Sequence, residues 1–243
     1  MNKGALFLCG NGISRPFDMT LRTLQILASC DAIFYGHGEE DGVLPILRKF
    51  CPGVRIISRP VLTDYSWGND RYHEICDDIC RYIEDGKRVC YLSQGHPLLF
   101  SEALDIRKEC ARRGHKVYAI PSISAIDSLL DAAARLDPRF SFQGFSVYQS
   151  VSVACGGVKL TPEAPTIIFD VYDSVATGRF EEFCFQLERN YPPKHLFYMI
   201  ECEGSSFGKI RFSNKVDKFC SFRTKISEFM SLILPGVEAL ERR

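Results

Sequence analysis

The chain has no apolar run that approaches the roughly 20 residues a membrane helix requires. Its longest runs, such as residues 5–9 and 230–234, are a quarter of that. It has no net charge: 30 Lys plus Arg balance 30 Asp plus Glu. That balance removes the chain-wide electrostatic case for a polyanion binder, so no nucleic acid and no membrane is expected as a partner. There is no repeat, no low-complexity tract, no long linker and no paired CxxC unit. The opening Met1-Asn2-Lys3-Gly4 stretch runs through a short apolar segment into a glycine turn, without the longer core and cleavage site of a signal peptide. The 11 cysteines form an odd, scattered set lying mostly inside apolar patterns, where free Cys behaves as a small hydrophobe. That usage points to a reducing, cytoplasmic setting.

With 243 residues and 46% hydrophobic content, the chain supports one large or two modest globular domains. Short β-type runs alternate with longer helical ones, which is the pattern of an α/β protein. Strands are expected at 4–9, 31–35, 54–58, 88–93 and 116–120. Helices are expected at 20–29, capped by Thr20, and at 44–50, 70–84 and 100–113. After Pro121 the texture shifts. A short helix at 125–134 precedes strands near 142–147, 166–171, 196–201, 207–212 and 228–234, with 180–189 the one clear helix among them. The fold class is therefore α/β in two domains: 1–120, mostly parallel, and 121–243, with a mixed sheet.

Three strand-end turns carry chemistry. Gly10-Asn11-Gly12 follows the first strand, but Arg15 and Pro16 stand where a dinucleotide fingerprint needs a third glycine, so a conventional NAD site is not expected. Ser93-Gln94-Gly95-His96-Pro97 follows the 88–93 strand, where open α/β sheets bind ligands. His96 there serves either proton transfer or loop hydrogen bonding. Pro121-Ser122-Ile123-Ser124-Ala125 places hydroxyls ahead of a helix, as caps or as ligand contacts. His73, Cys76, Asp77 and Cys80 fall at i, i+3, i+4 and i+7 on one helix face. Because Ile75, Ile79 and Ile83 need those cysteines to complete an apolar stripe, the core reading outweighs a metal site, and no metal is called for. Phe180, Phe183, Phe185 and Leu187 read as core, and Arg107, Lys108, Arg112, Arg113 and His115 as a solvated helix end.

Taken in order, these elements resemble the tetrapyrrole-methylase family of S-adenosylmethionine (SAM) dependent methyltransferases. The resemblance rests on the glycine-rich first turn, the T-L-x-x-L-x-x-L-x-x-x-D-x-I-x-Y segment from Thr20 to Tyr35, the Gly95-His96-Pro97 loop and the Pro121 to Ala125 turn. It implies two α/β domains with SAM held in the cleft between them. The Gly-His-Pro loop, with Leu136-Asp137-Pro138 followed by Phe142-Gln143, is similar to the borosin branch, which methylates backbone amide nitrogens of peptides. Cobalamin and sirohaem members instead carry an acidic residue in the first turn, which is missing from Gly10 to Arg15.

The resemblance carries a catalytic tyrosine onto Tyr72. The branch's arginine falls on Gly68, with Arg71 adjacent, and a second tyrosine has its nearest counterpart in Tyr65. It implies that Gln94, Gly95, His96, Leu99 and Phe100 cradle the amino-acid part of SAM and that Ser124 and Ala125 line its far side. Gln143, Val171 and Tyr172 would reach the adenine, the last two from the end of the 166–171 strand. Physically, an amide nitrogen needs a base and a cation near its carbonyl oxygen, and a tyrosine of unperturbed pKa about 10 serves once a neighbouring arginine lowers it. The fused borosins carry their substrate beyond the catalytic region, whereas this sequence ends soon after Leu234-Pro235-Gly236. The expected partner is therefore a precursor peptide supplied in trans, and the expected assembly a homodimer. A corrinoid or other small acceptor, or SAM binding without catalysis, are the alternatives.

Overall fold

The computed structural model describes residues 4–36, 42–58, 70–136, 144–202 and 208–237. The chain divides into two compact units, Met1–Ala125 and Ile126–Arg243. Among the described residues no helix is long and apolar enough to cross a membrane.

The first unit alternates strand and helix: β1 (Ala5–Gly10), α1 (Leu21–Ala28), β2 (Ala32–Tyr35), α2 (Val43–Phe50), β3 (Arg55–Ser58), α3 (Asp70–Glu84), β4 (Arg88–Ser93), α4 (Ala103–Arg112) and β5 (Val117–Ala119). Its strands form one sheet in the order β3-β2-β4-β1-β5, and every pairing is parallel. All six residues of β1 are buried, because both faces of the sheet are covered. Leu6 and Leu8 pack with Ile75, Ile79 and Ile106 of α3 and α4, while Ala5, Phe7 and Cys9 pack with Leu27, Leu44 and Leu47 of α1 and α2. Cys76 and Cys80 complete the α3 stripe, and Cys80 Sγ lies 3.7 Å from Cys110 Sγ of α4. Thr20 caps α1 by accepting from the Thr23 amide at 3.1 Å. The expected helix at 100–113 begins three residues later than its sequence pattern suggests, because Phe100 adopts a φ of 46°.

Strand order fixes where this unit opens. After β1 the chain crosses to β2 on one side; after β4 it crosses to β5 on the other. Since α1 and α4 cover opposite faces, β1 and β4 send their chains apart at their carboxyl ends, and such a switch point is where open sheets bind ligands.

The second unit holds α5 (Ala125–Leu136), β6 (Ser146–Gln149), α6 (Ser150–Ala154), β7 (Thr166–Phe169), α7 (Val171–Ala176), α8 (Phe180–Asn190), β8 (Leu196–Glu201), β9 (Lys209–Lys215), a 3-10 helix (Val216–Lys225) and β10 (Met230–Leu234). Its sheet runs β6-β7-β10-β8-β9, with β6 and β7 parallel and the other neighbours antiparallel. Phe180, Phe183, Phe197 and Phe219 lie in its core, with Phe183 and Phe197 each meeting Phe219 edge to face. Phe185 does not join them: the buried stripe of α8 is Phe180, Phe183, Cys184 and Leu187, and Phe185 points off it at 59% exposure. The expected strand at 166–171 stops at Phe169, and Val171 and Tyr172 begin α7 instead. Cys184 and Cys220 are bonded, so not every cysteine is free; the other nine are, eight of them buried.

Candidate functional site

The carboxyl ends of β1, β4 and β5 come together in the first unit as three interlocked loops. Gly10 is packed so closely that a Cβ there would lie 1.8 Å from the Gly95 carbonyl oxygen. Its amide donates to Ser122 Oγ at 3.0 Å, and that hydroxyl donates to the Ile120 carbonyl at 3.2 Å, which ties the β5 turn to the end of β1. Gly12 and Gly95 form an isolated antiparallel bridge, the Gly95 amide donating to the Gly12 carbonyl at 3.1 Å. Both have positive φ, 78° and 64°, a region that glycine enters without steric penalty. Asn11 is fully buried between them, its amide nitrogen oriented to donate to the Ser93 and Gly12 carbonyls at 3.2 and 3.1 Å.

An acidic residue from further along the chain holds the first turn. Asp18 Oδ2 accepts from the amides of Ile13 and Ser14 at 3.1 and 2.7 Å, and its Cβ stands 2.1 Å from where a Gly12 Cβ would sit. Its carboxylate holds the turn, and only a glycine at position 12 admits it. A spacing search cannot see this contact, since Asp18 lies outside the motif and next to the Thr20 cap.

In the β4 loop, Gly95 is buried and Gln94, His96 and Leu99 are half-buried. His96 Nδ1 accepts from the Leu98 amide at 3.1 Å, so the neutral ring carries its proton on Nε2 and His96 shapes the loop as a hydrogen-bonding residue. Phe100 is 39% exposed at the loop's exit. The far end is anchored by Glu102: Tyr91 Oη donates to its Oε1 at 3.1 Å and Ser101 Oγ to its Oε2 at 3.3 Å. The sequence gives no periodic signal for that anchor. Ser124 is buried at the start of α5, beside half-buried Ala125. Thus Gln94, Gly95, His96, Leu99, Phe100 and Ser124 lie on loops at the carboxyl rim of one sheet, and Ala125 opens the helix that follows.

Two further expected residues belong to the second unit. Val171 is fully buried and Tyr172 half-buried, the first two residues of α7, just past the carboxyl end of β7. Asp170, between β7 and α7, was not singled out by its sequence context. Its carboxyl is pushed up from the usual carboxylate range by burial, against a lowering hydrogen bond from Gln149 Nε2 at 3.2 Å. Tyr65, Gly68 and Gln143 lie outside the described residues, as do the Asp137-Pro138 and Phe142 positions of the second motif. Arg71 and Tyr72 stand on the first turn of α3, with their side chains outside the described set. No cluster of metal-ligating side chains occurs among the described residues.

Comparison with known proteins gives these loops a context. Residues 5–154 match the profile of the family described as Tetrapyrrole (Corrin/Porphyrin) Methylases. A methyltransferase/ribosomally synthesized type II borosin cyclic peptide precursor of Phlebiopsis gigantea is 24% identical over 204 residues, which cover 80% of this chain and 35% of that protein. Siroheme synthase 1 of Yersinia enterocolitica is 27% identical over 128 residues, 51% of this chain and 25% of that protein. The chain therefore spans about a third or less of the length of these curated relatives. The solved uroporphyrin-III-C-methyltransferase of Thermus thermophilus has the same fold, with a TM-score of 0.68 at 15% identity over 96% of this chain and 94% of that one.

Proposed function

The chain belongs to the tetrapyrrole (corrin/porphyrin) methylase family, and on that footing we propose that it is a SAM-dependent methyltransferase acting on backbone amide nitrogens of a separately supplied precursor peptide. The observation that carries the peptide reading is the reach of the likeness. The borosin relative aligns with 80% of the chain, whereas the siroheme synthase aligns with 51%. The Gly95-His96-Pro97 loop supports the same branch.

The residues present suit SAM. Gly95, with positive φ and no side chain, lets backbone come close to a zwitterionic ligand, and Ser124 offers a buried hydroxyl. In the second unit Asp170 and Gln149 offer acceptors of the kind an adenosyl group requires. Gln94, Gly95, His96, Leu99 and Phe100 hold the amino-acid end, Ser124 and Ala125 its flank, and Gln143, Val171 and Tyr172 the adenine. SAM supplies a methyl group on a sulfonium, and the loops contribute by holding that carbon in line with the acceptor, so positioning dominates. Tyr72 takes the amide proton and Arg71 steadies charge on the carbonyl oxygen, with Tyr65 as the second tyrosine of the branch's pattern. The protein acts in the cytoplasm as a homodimer, which solution mass measurement tests.

The second reading, methylation of a corrinoid or related macrocycle, is favoured by the siroheme synthase likeness. Mass spectrometry separates the readings. Whole protein is incubated with SAM and, in turn, a precursor-type hydrophobic peptide or uroporphyrinogen. Methyl-mass gains on the peptide, localised to backbone nitrogen, support the first; gains on the macrocycle alone replace it with the second. SAM binding with no acceptor modified would leave a binding protein without catalysis.

A further inference from the structure

One pair of cysteines in the second unit differs from the rest. Of the 11 cysteines nine are free, while Cys184 of α8 is bonded to Cys220 of the 3-10 helix, with Cα atoms 5.8 Å apart. A chain kept permanently oxidised retains few free thiols, so this one bond stands against a reducing background. Proximity does not explain why this pair is the bonded one. Cys80 Sγ and Cys110 Sγ lie 3.7 Å apart between α3 and α4, and both are free. They are 2% and 0% exposed, and burial pushes both thiols up from their usual range, which keeps them protonated and poor nucleophiles. Cys184 is buried as deeply, but Cys220 is exposed. Access is the difference: a soluble thiol or disulfide reaches one sulfur of the Cys184 and Cys220 pair and neither sulfur of the other.

The surroundings suit one class of reagent. On the 3-10 helix Lys218, Arg223 and Lys225 flank Cys220, and Asp217 is the one acid, a field that attracts small anionic thiols of the glutathione class. They also hold the two sulfurs together. A 3-10 helix of 10 residues exceeds the length that its own hydrogen bonds ordinarily sustain, so tertiary ties must keep it in place. Phe219 packs against Phe180 and Phe183 of α8, with ring centroids 5.6 and 5.7 Å away, and Arg223 Nη1 meets Glu181 Oε1 of the same helix at 2.6 Å. These ties leave the two sulfurs neighbours whether or not they are bonded. Bonding adds the closure of a 36-residue separation that spans β8 and β9.

We propose that Cys184 and Cys220 form a reversible exchange site for glutathione-class disulfides, in which Cys220 is the sulfur that meets the reagent and Cys184 the buried partner that closes the bond. In oxidation the Cys220 thiolate attacks one sulfur of the small disulfide, giving a mixed disulfide and releasing one small thiolate. Cys184 then attacks the Cys220 sulfur, displaces the second small thiolate and closes the protein bond. Two protein thiols are oxidised, one small disulfide is reduced to two thiols, and the two protons end on the released thiolates. Reduction runs the same steps backward, starting with a small thiolate at the exposed Cys220 sulfur. The inference depends neither on the methyl donor nor on the acceptor.

The test equilibrates the full chain with glutathione stepped from all reduced to all oxidised, quenches with acid, tags free thiols under denaturing conditions and counts tags by intact mass. The count should fall from 11 to nine in one step and return when reduced glutathione is restored. Thermal unfolding of the oxidised chain should come roughly 10 °C above that of the reduced chain. Cys220→Ser, at an exposed position, should show one tag fewer than reduced wild type at every ratio and a midpoint indifferent to glutathione. Cys184→Ala should stop at the mixed disulfide, with one glutathione bonded to Cys220. A wild-type count that stays at 11 in oxidised glutathione, or at nine in reduced glutathione, would overturn the inference, the second by making the bond a permanent brace. A two-tag loss that persists in Cys220→Ser would overturn it as well, by assigning the exchange to another pair.

Discussion

Two parallel strand pairs end in tight turns, one in each unit, and they turn by different means. Where β1 and β4 end, two left-handed positions are glycines, Gly12 and Gly95, and the turns pack backbone against backbone with Asp18 and Ser122 closing the gaps, while Phe100 holds a third such position at the exit of the β4 loop. After β6 and β7 the left-handed position is Asp170, whose carboxylate accepts from Gln149 Nε2. Where backbone shape alone is needed, glycine provides it at no steric penalty. Where an aspartate holds such a position without capping the helix it precedes, its side chain is the part being preserved.

Substitutions sharpen that contrast, beginning with the largest effect. Gly10→Ala drives a methyl to 1.8 Å from a carbonyl oxygen, so the first unit should lose more than about 3 kcal/mol in urea unfolding or fail to fold. Gly53→Ala, with φ 84° but nothing within 4 Å, should lose only about 1 kcal/mol. If the two cost the same, close packing of the β1 turn is not what selects glycine there.

Next comes Tyr72→Phe, which should cut turnover about 10²- to 10⁴-fold while S-adenosylhomocysteine affinity is unchanged. Unchanged turnover would remove Tyr72 from the chemistry. Asp18→Ala strands the Ile13 and Ser14 amides and should lower stability by about 1–2 kcal/mol. Tyr191→Phe, in the second unit, removes a buried hydroxyl that donates to Thr166 Oγ1 at 2.9 Å, for a loss of about 1 kcal/mol. The smallest effect concerns pH. Burial raises the folded-state pKa of Asp170, so its stabilising contribution is full below the unfolded carboxylate's titration near about pH 4 and is lost as pH rises through the folded value. Ligand-free Asp170→Asn should therefore gain on wild type as pH climbs, and a gap that widens in the opposite direction would contradict a desolvated carboxylate.

Much of this was legible in the sequence. Elements bounded by glycine, proline or a capping residue, such as β4, α3 and β8, appear where apolar period and punctuation place them. The three strand-end turns were legible because glycine and proline leave few alternatives. What hid was long-range or strained. Val171 and Tyr172 have strand-forming side chains, so the helix after Asp170 reads as more strand until the left-handed φ is known. Asp18 acts backward across a turn, Glu102 pairs with a tyrosine on the preceding strand, and Cys184 meets Cys220 across 36 residues; none of these has a spacing signature. Phe185 misled because a count of aromatics ignores which face of α8 is buried.

Titration of the whole, folded protein with S-adenosylhomocysteine, followed by displacement with SAM, bears most directly on the claim that these strand ends grip an adenosyl methyl donor. Saturable binding of one ligand per chain, displaced by SAM, is the expected result. Absence of binding on material with an intact unfolding transition would contradict it.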